Sequence, residues 1–215
     1  MTMRPRGAPV ENLCVIMMHM AVRFTFDPEK ATEAIVYLSS LGLPALSKYK
    51  LCKLLVLADK HHLVRFGRTI TGDRICAMEY GPVPSASLDM MSRILGGEEL
   101  SQQGQALAER VAIDRRYTHP RFAAVDKDFQ AHALSQSDLE SLQAVANEHG
   151  KKGFDELKAL THEMIAYKRA WENKSNNAPP IAFEDFFEED DEALAGVFEE
   201  MVETDAMRKA FGPAF

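Results

Sequence analysis

Two short patterns in the sequence have residue types that could support catalysis. His162-Glu163 begins like the zinc-binding pattern HExxH, but Ala166 stands where the second histidine ligand would be, so the metalloprotease geometry is missing. Ser47 and Lys50 have the SxxK spacing of penicillin-recognising enzymes, but no SDN or KTG sequence accompanies them. We therefore expect Ser47 to cap a helix rather than to act as a nucleophile.

Four other polar residues could in principle meet at a metal ion: Asp59, His61, His62 and His162. The ordinary alternative, which we favour, is that the polar ends of helices face solvent or satisfy buried backbone groups. Gly96-Gly97 is not followed by Lys-Ser/Thr, and Gly72 is isolated, so the sequence has no glycine-rich phosphate loop. It therefore predicts no catalytic residue, no metal and no cofactor.

Composition indicates one main domain in a reducing compartment. The chain has 215 residues, of which 46% are hydrophobic, enough for one sizeable core with an appendage. Its three cysteines, Cys14, Cys52 and Cys76, form neither a disulfide framework nor a CxxC metal clip. The apolar run 13–22 follows two arginines but contains His19 and no small-residue cleavage site. We expect a cytoplasmic protein without a secretion signal or membrane span.

The net charge of −7 is unevenly distributed. Residues 175–215 carry 11 acidic residues against two basic ones, whereas residues 1–174 have 23 Lys and Arg against 21 Asp and Glu. The run Asn176–Pro180 is a natural joint. Because no basic stripe is present, we expect no direct nucleic-acid binding. We predict an N-terminal extension at 1–22, a body at 23–174 and an acidic tail at 175–215. Translation from Met20 would remove only the extension; alternatively, residues 13–20 form a helix that packs on the body or on a partner.

Helical signals dominate the body. Asp27 and Pro28 predict the start of a first helix that ends before Gly42. A second helix is predicted from Ser47 to about Leu63, and it is apolar around nearly its whole circumference, which is typical of a central helix. A later helix is predicted from a capping box at 137–140 to Gly150. An amphipathic helix is predicted from about 155 to 173.

Short extended segments interrupt the helices. Residues 70–80 contain a Thr-Gly-Asp turn followed by alternation, which predicts a short strand or hairpin. Pro82 and Pro84 favour extended geometry, so the next helix must start after Pro84, with Ser85 or Ser87 as its cap and Gly96-Gly97 as its end. Residues 111–134 are predicted to supply one or two strands. The expected fold is mainly α, of the α+β type: a compact helical domain with a small antiparallel β element and a C-terminal acidic amphipathic tail.

Two separated sequence blocks resemble a known family. KLLVLADKHHLVRFGRTITGDRICAMEYGPVPS, residues 53–85, is similar to the signature of the Panacea or SocA-like antitoxin domain, and residues 134–171 resemble its downstream blocks. The resemblance covers about residues 26–174. Val56 and Thr69 depart from it, since the family often has an aromatic residue and a proline there. The residues that carry the motifs are Asp59, Gly72, Asp73, Tyr80, Gly81, Pro82, Thr161, His162 and Glu163.

The resemblance implies a function that is not enzymatic. Panacea proteins are bacterial antitoxins that bind and neutralise co-encoded toxins, and the SocA branch also delivers its toxin to the ClpXP protease. We therefore expect a cytoplasmic antitoxin whose partners are its cognate toxin and, in a more specific version, ClpXP. Two alternatives stay open: a regulatory or phage-associated protein-binding module without a toxin, and a hydrolase that uses the histidines and carboxylates.

Two regions are candidates for partner binding. One is a polar rim at the end of the second helix and the turn after it, formed by His61, His62, Arg65, Arg68, Asp73 and Arg74. The other lies in the tail, which has aromatic residues followed by an apolar stripe at helical spacing. Its candidate residues are Phe186, Phe187, Leu194, Val197, Phe198 and Met201. We expect this stripe to dock either on the body or on a basic surface of the toxin.

Overall fold

Helices make up most of the chain that the computed structural model describes, which is residues 23–173 and 176–187. The elements, in chain order, are α1 (Pro28–Ser40), α2 (Lys48–Phe66), β1 (Ile75–Met78), β2 (Gly81–Pro84), α3 (Ser85–Gly96), α4 (Gln102–Arg110), β3 (Val111–Asp114), β4 (Arg121–Ala124), α5 (Gln136–His149), α6 (Phe154–His162), α7 (Ile165–Glu172) and a 3₁₀ helix (Phe183–Phe186). The predicted mainly α fold with a small antiparallel β element is confirmed.

The first two helices begin where their capping residues predict. The Asp27 carboxylate accepts hydrogen bonds from the backbone N–H groups of Glu29 and Lys30, and Gly42 follows α1 with φ +65°. The Ser47 hydroxyl accepts from the backbone N–H of Lys50, which confirms its capping role. Helix α2 continues to Phe66, beyond the predicted end near Leu63, because the left-handed residue that stops it is Gly67.

Helix α2 is the centre of the fold. It packs against α1, α3, α5, α6 and β2. Its buried side chains lie on all sides, as the apolar sequence predicts, and they include ionisable ones, of which Lys53 and Asp59 lie in the middle of the helix. Because a buried charge is costly unless it is paired, the partners of these two residues need a separate account.

Two small sheets lie beside the helices. Strands β1 and β2 form an antiparallel hairpin with Ile75 opposite Pro84 and Met78 opposite Gly81. Strands β3 and β4 pair antiparallel from Val111–Ala124 to Asp114–Arg121, so residues 111–134 supply two strands. The other edge of β1 is covered by residues 179–181, since the backbone N–H of Ile181 donates to the Ile75 carbonyl at 2.8 Å.

The helix predicted from about 155 to 173 is divided in two. Helix α6 ends at His162, Met164 has extended backbone geometry with ψ 127°, and α7 starts at Ile165. No proline or glycine marks the break in the sequence. The Met164 side chain is buried at the break, and the Tyr167 hydroxyl beyond it donates to the Met78 carbonyl at 3.0 Å. Tertiary packing on the hairpin accompanies this change of direction.

The capping box of α5 lies two residues before the predicted one. The Ser135 hydroxyl accepts from the Asp138 backbone N–H, and the Asp138 carboxylate accepts from the Ser135 backbone N–H. Ser137 and Glu140 were the wrong pair, because Asp138 is fixed from outside the helix by Lys30 and Arg68. The helix stops at Gly150 as predicted.

Residues 176–187 pack on the body. Phe183, Phe186 and Phe187 are buried, and the Phe183 ring lies edge-on to Phe24 with centroids 5.0 Å apart. Arg169 of α7 forms an ion pair with Asp185 at 2.7 Å. Within the described ranges, no helix is both long and apolar enough to cross a membrane.

Candidate partner-binding surface

The turn between α2 and β1 is fixed by a buried carboxylate. Asp59 accepts hydrogen bonds from the backbone N–H groups of Ile70 and Thr71 and from the Thr71 hydroxyl at 2.7 Å. Burial raises the pKa of the Asp59 carboxyl to about 6, although the hydrogen bonds from Thr71 and Ile70 act in the opposite direction. Asp59 therefore holds the turn to the central helix.

A second buried carboxylate connects the turn to α3. Asp73 accepts from the backbone N–H groups of Ala86 and Ser87 at 2.9 and 2.8 Å and from the Ser87 hydroxyl at 2.8 Å. The prediction that Ser85 or Ser87 caps α3 is wrong, since no side chain of the helix's own start fills that role. Asp73 satisfies the free backbone donors from 13 residues upstream.

Gly72 and Thr69 complete the turn. Gly72 has φ +64°, and a Cβ there would collide with the Thr25 backbone carbonyl. The Thr69 hydroxyl accepts from the Gly72 backbone N–H at 3.1 Å. Thr69, one of the two departures from the Panacea pattern, thus contributes an acceptor that proline would lack.

A buried lysine supports the β1–β2 hairpin from below. Lys53 is fully buried, its ammonium donates to the Pro82 carbonyl at 2.7 Å, and it lies 5.0 Å from the centre of the Tyr49 ring. Burial lowers the pKa of Lys53 to about 7. Lys53 thus gives the Pro82 carbonyl of β2 a hydrogen-bond donor from the central helix.

Gly81 leaves the space that Lys53 needs. Its φ is +94°, and a Cβ at this position would lie 2.8 Å from both Lys53 Nζ and Thr161 Oγ1. Both are closer than a real Cβ contact allows, so only glycine fits. The motif residues of the hairpin and of the end of α6 are therefore packed against one another.

His162 lies beside this cluster. Its ring is 4.5 Å from the Tyr167 ring, and its buried Nε2 has no hydrogen-bond partner among the described residues. Burial and the nearby charges of Lys158 and Lys53 lower the pKa of His162. Its neighbour Glu163 is exposed and pairs with Lys168 at 2.6 Å. No group of three or more His, Cys, Asp or Glu residues in the described ranges could hold a metal ion.

The predicted polar rim is only partly a surface. His62 and Asp73 are buried, whereas Arg65 and Arg74 are exposed and His61 and Arg68 are intermediate. Arg68 and Arg74 contact different elements, because Arg74 donates to Ser85 at the start of α3 and Arg68 is bound to the start of α5. The rim available to a partner therefore comprises His61, Arg65, Arg68 and Arg74.

Asp138 connects the rim to the body. Its carboxylate is buried and pairs with Lys30 at 2.8 Å, Arg68 at 3.0 Å and His62 at 3.1 Å. Burial acts to raise the pKa of Asp138, but hydrogen bonds from His62 and Lys30, with the Arg68 charge, hold it well below its usual range. His62 also donates from Nδ1 to the Arg68 carbonyl at 2.7 Å. His62 therefore links two parts of the body and is not a residue that contacts a partner.

The turn of the β1–β2 hairpin presents a cluster that we term the hairpin-tip surface: Tyr49, Met78, Tyr80 and Phe154. Tyr80 is 51% exposed and Phe154 is 48% exposed, with ring centroids 6.0 Å apart. The Tyr49 ring lies 4.4 Å from Phe154, and Met78 is also exposed. Adjacent exposed apolar side chains of this kind are a feature of interaction sites.

The tail candidates that lie within the described residues are buried. Phe186 is 2% exposed and Phe187 is 7% exposed, so a partner could reach these rings only if the 3₁₀ helix left the body. The other four candidates, Leu194, Val197, Phe198 and Met201, lie outside the described residues, as does the extension at 1–22. Binding by the tail stays a prediction.

Sequence reasoning singled out neither Tyr49 and Met78 of the hairpin-tip surface nor Lys53, Asp138 and Phe154. For Lys53 a signal existed, because an ionisable residue inside an apolar run indicates a buried, paired group. Asp138 could have been found as the third residue after Ser135 in a capping box. Phe154 had no distinguishing signal, because its exposure depends on how α6 meets the hairpin.

Comparison with known families gives one match. A family model described as "Antitoxin SocA-like, Panacea domain" matches residues 51–171, more than half of the 215-residue chain. The matched range begins in α2 and ends in α7, and it includes Met78, Tyr80 and Phe154 of the hairpin-tip surface. Comparisons with curated proteins and with solved structures found no match.

Proposed function

The chain belongs to the SocA-like antitoxin family with a Panacea domain, and from this membership we propose that it neutralises a co-encoded toxin by binding it directly. The observation that carries the proposal is the family match over residues 51–171. This range contains the central helix, the hairpin and most of the helices packed around them. Membership of the family supports an antitoxin-type, non-catalytic role. That the target is a co-encoded toxin is the more specific part of our proposal.

The roles of the motif residues agree with binding rather than catalysis. Asp59 and Asp73 each accept three hydrogen bonds from backbone N–H groups and hydroxyls. Lys53 and Gly81 fix the hairpin. These groups are used to hold a frame, and a frame that is ordered before association loses less entropy on binding a partner. They support a function of presenting exposed side chains in a fixed arrangement.

Co-expression tests the proposal. The tagged chain is co-expressed with the product of the adjacent open reading frame, and the complex is isolated through the tag and sized by light scattering. We expect a stable complex of the two proteins. Failure of the two soluble, folded proteins to co-purify would contradict direct binding.

A more specific form of this proposal is that the chain delivers the toxin to the ClpXP protease in the cytoplasm. Blocking and delivery make different predictions for the lifetime of the toxin. Under delivery, the half-life of the toxin shortens when the chain is present, and it lengthens again in cells that lack the protease. Under blocking, toxin half-life is unchanged or longer in both strains. A pulse-chase measurement of the toxin separates the two mechanisms.

The acidic tail is proposed as a second contact with the toxin. Because residues 176–187 pack on the body, the informative truncation is after Phe187, which removes the candidate stripe without removing buried phenylalanines. If the tail is an arm, thermal stability holds while toxin affinity falls and depends less steeply on salt. A truncated chain that melts much earlier, with no change in the salt dependence of binding, would identify the tail as part of the core.

A further inference from the structure

We infer that the hairpin-tip surface, formed by Tyr49, Met78, Tyr80 and Phe154, is the docking site for a protein partner that presents an apolar patch bordered by Lys or Arg. The inference rests on the proposed function, which makes this partner the toxin. Two exposed rings with centroids 6.0 Å apart, and the exposed Met78 two residues before Tyr80, provide the kind of apolar contact that dominates binding energy in protein interfaces.

The surface is held rigid from beneath. The Tyr49 hydroxyl donates to the Tyr80 carbonyl at 3.1 Å, and the Tyr167 hydroxyl donates to the Met78 carbonyl at 3.0 Å. Both ends of the turn are thereby tied to helices, and Lys53 holds the strand that follows. Because the frame is already ordered, little conformational entropy remains to be lost when a partner docks.

The charges around the surface define the chemistry of the partner. Glu79, Asp155 and Glu156 are exposed beside it, and the Lys158 ammonium lies 5.3 Å from the centre of the Tyr80 ring. Lys48 and Lys50, the neighbours of Tyr49, are less exposed than these acids: Lys48 is half-buried and donates to the Ser92 hydroxyl, and Lys50 is buried and donates to the Pro44 carbonyl. Among its exposed side chains the border is thus more acidic than basic, which is complementary to a basic border on the partner.

The same charges argue against the chain's own C-terminal segment as the occupant. Residues 188–215 have nine Asp and Glu against Arg208 and Lys209. Docking this segment on the hairpin tip would bring like charges together at Glu79 and Asp155. Juxtaposed like charges suppress association, so a separate, basic partner fits better.

The test uses the full-length chain and the purified product of the adjacent open reading frame, with affinity measured by calorimetry at two salt concentrations. The double variant Tyr80→Ala/Phe154→Ala removes the exposed rings. Its control, Tyr117→Ala/Val125→Ala, removes two exposed apolar side chains elsewhere, of 42% and 64% exposure. A second variant, Glu79→Lys/Asp155→Lys, reverses the border charge without touching the rings. Circular dichroism and melting temperature verify the fold of each variant.

We expect the ring variant to bind at least 100-fold more weakly, the control to change less than threefold, and the charge variant to bind at least tenfold more weakly at low salt. If wild type binds and the ring variant or the charge variant binds equally well, the assignment of this surface is wrong while the proposed function stands. If the control variant loses as much binding affinity as the ring variant, the assignment of this surface is also wrong. If wild type itself does not bind, the proposed function and this inference fail together. A truncation after Phe187 that strengthens binding tenfold would identify the tail as the occupant instead.

Discussion

Replacing the buried lysine of α2 tests the account of how the hairpin is held. Lys53 is fully buried beneath β2, and burial lowers the pKa of its ammonium from 10.5 to about 7. Lys53→Met keeps most of the length of the unbranched side chain and removes the titrating group. The variant also leaves the Pro82 carbonyl without its donor, so stability at a single pH mixes two effects. The dependence of stability on pH separates them.

The sign follows from proton binding. Because the pKa of Lys53 is lower in the folded state, the unfolded chain binds more protons between pH 7 and 10.5, and the free energy of unfolding rises with pH in that window. At pH 7 the folded lysine is half protonated and the unfolded one is fully protonated; at pH 8.5 the folded one is nearly neutral. The two pKa values then give a rise of about 1.6 kcal/mol from pH 7.0 to 8.5.

The assay is urea unfolding of wild type and Lys53→Met at pH 7.0, 7.75 and 8.5. We expect wild type to gain about 1.6 kcal/mol relative to the variant across this range. Groups remote from Lys53 titrate alike in both proteins and cancel in the difference. Lys127→Met, which removes an exposed lysine, should follow wild type. If the difference in free energy of unfolding between wild type and Lys53→Met changes by less than about 0.3 kcal/mol from pH 7.0 to 8.5, the account of Lys53 as a buried lysine with a lowered pKa is refuted.

Three further predictions concern the frame, each measured by urea unfolding. Gly81→Ala should cost about 3 kcal/mol, since it combines positive φ with collision into buried polar groups, whereas Gly97→Ala, with φ +69° and open space around it, should cost about 1 kcal/mol; equal costs would exclude the collision. Asp73→Ala should cost about 3 kcal/mol through three lost hydrogen bonds, and Asp89→Ala, which breaks an exposed ion pair, less than about 0.5 kcal/mol; a small loss at Asp73 would contradict its capping role. Asp138→Asn should cost about 2 kcal/mol at neutral pH, because the buried carboxylate loses its charge-assisted hydrogen bonds with Lys30 and Arg68, which are only half-buried. The pKa of Asp138 is lowered on folding, so its contribution to the free energy of unfolding is present above the unfolded pKa and is lost as pH falls from about 5. If the free energy of unfolding of Asp138→Asn falls in acid as steeply as that of wild type, this assignment is wrong.

Local signals predicted the parts of the fold that depend on local chemistry. Asp27, Pro28 and Ser47 define helix starts through bonds to residues two or three positions away, and such bonds can be inferred from spacing alone. The apolar circumference of α2 predicted its central position because only a helix surrounded by others can bury residues on every side.

Tertiary contacts decided the rest. Ser135 and Ser137 are equally good caps in isolation, and the choice between them follows from the partners of Asp138 on α1 and after α2. The capping of α3 by Asp73 spans 13 residues and a hairpin. For the candidate site, the sequence singled out Tyr80 and Gly81 as motif residues, but Phe154 joins them only through the packing of α6 on the hairpin. No spacing rule could reveal that contact.

Growth rescue is the most direct measurement of the central claim, that the chain neutralises a co-encoded toxin. The product of the adjacent reading frame is induced alone, with the wild-type chain, and with the chain carrying Tyr80→Ala/Phe154→Ala at equal expression. The account predicts arrested growth with the product alone, restored colony counts with wild type, and loss of rescue with the variant. Arrest that persists in cells containing folded wild-type chain, or a product that does not inhibit growth at all, would contradict the antitoxin function proposed for this pair.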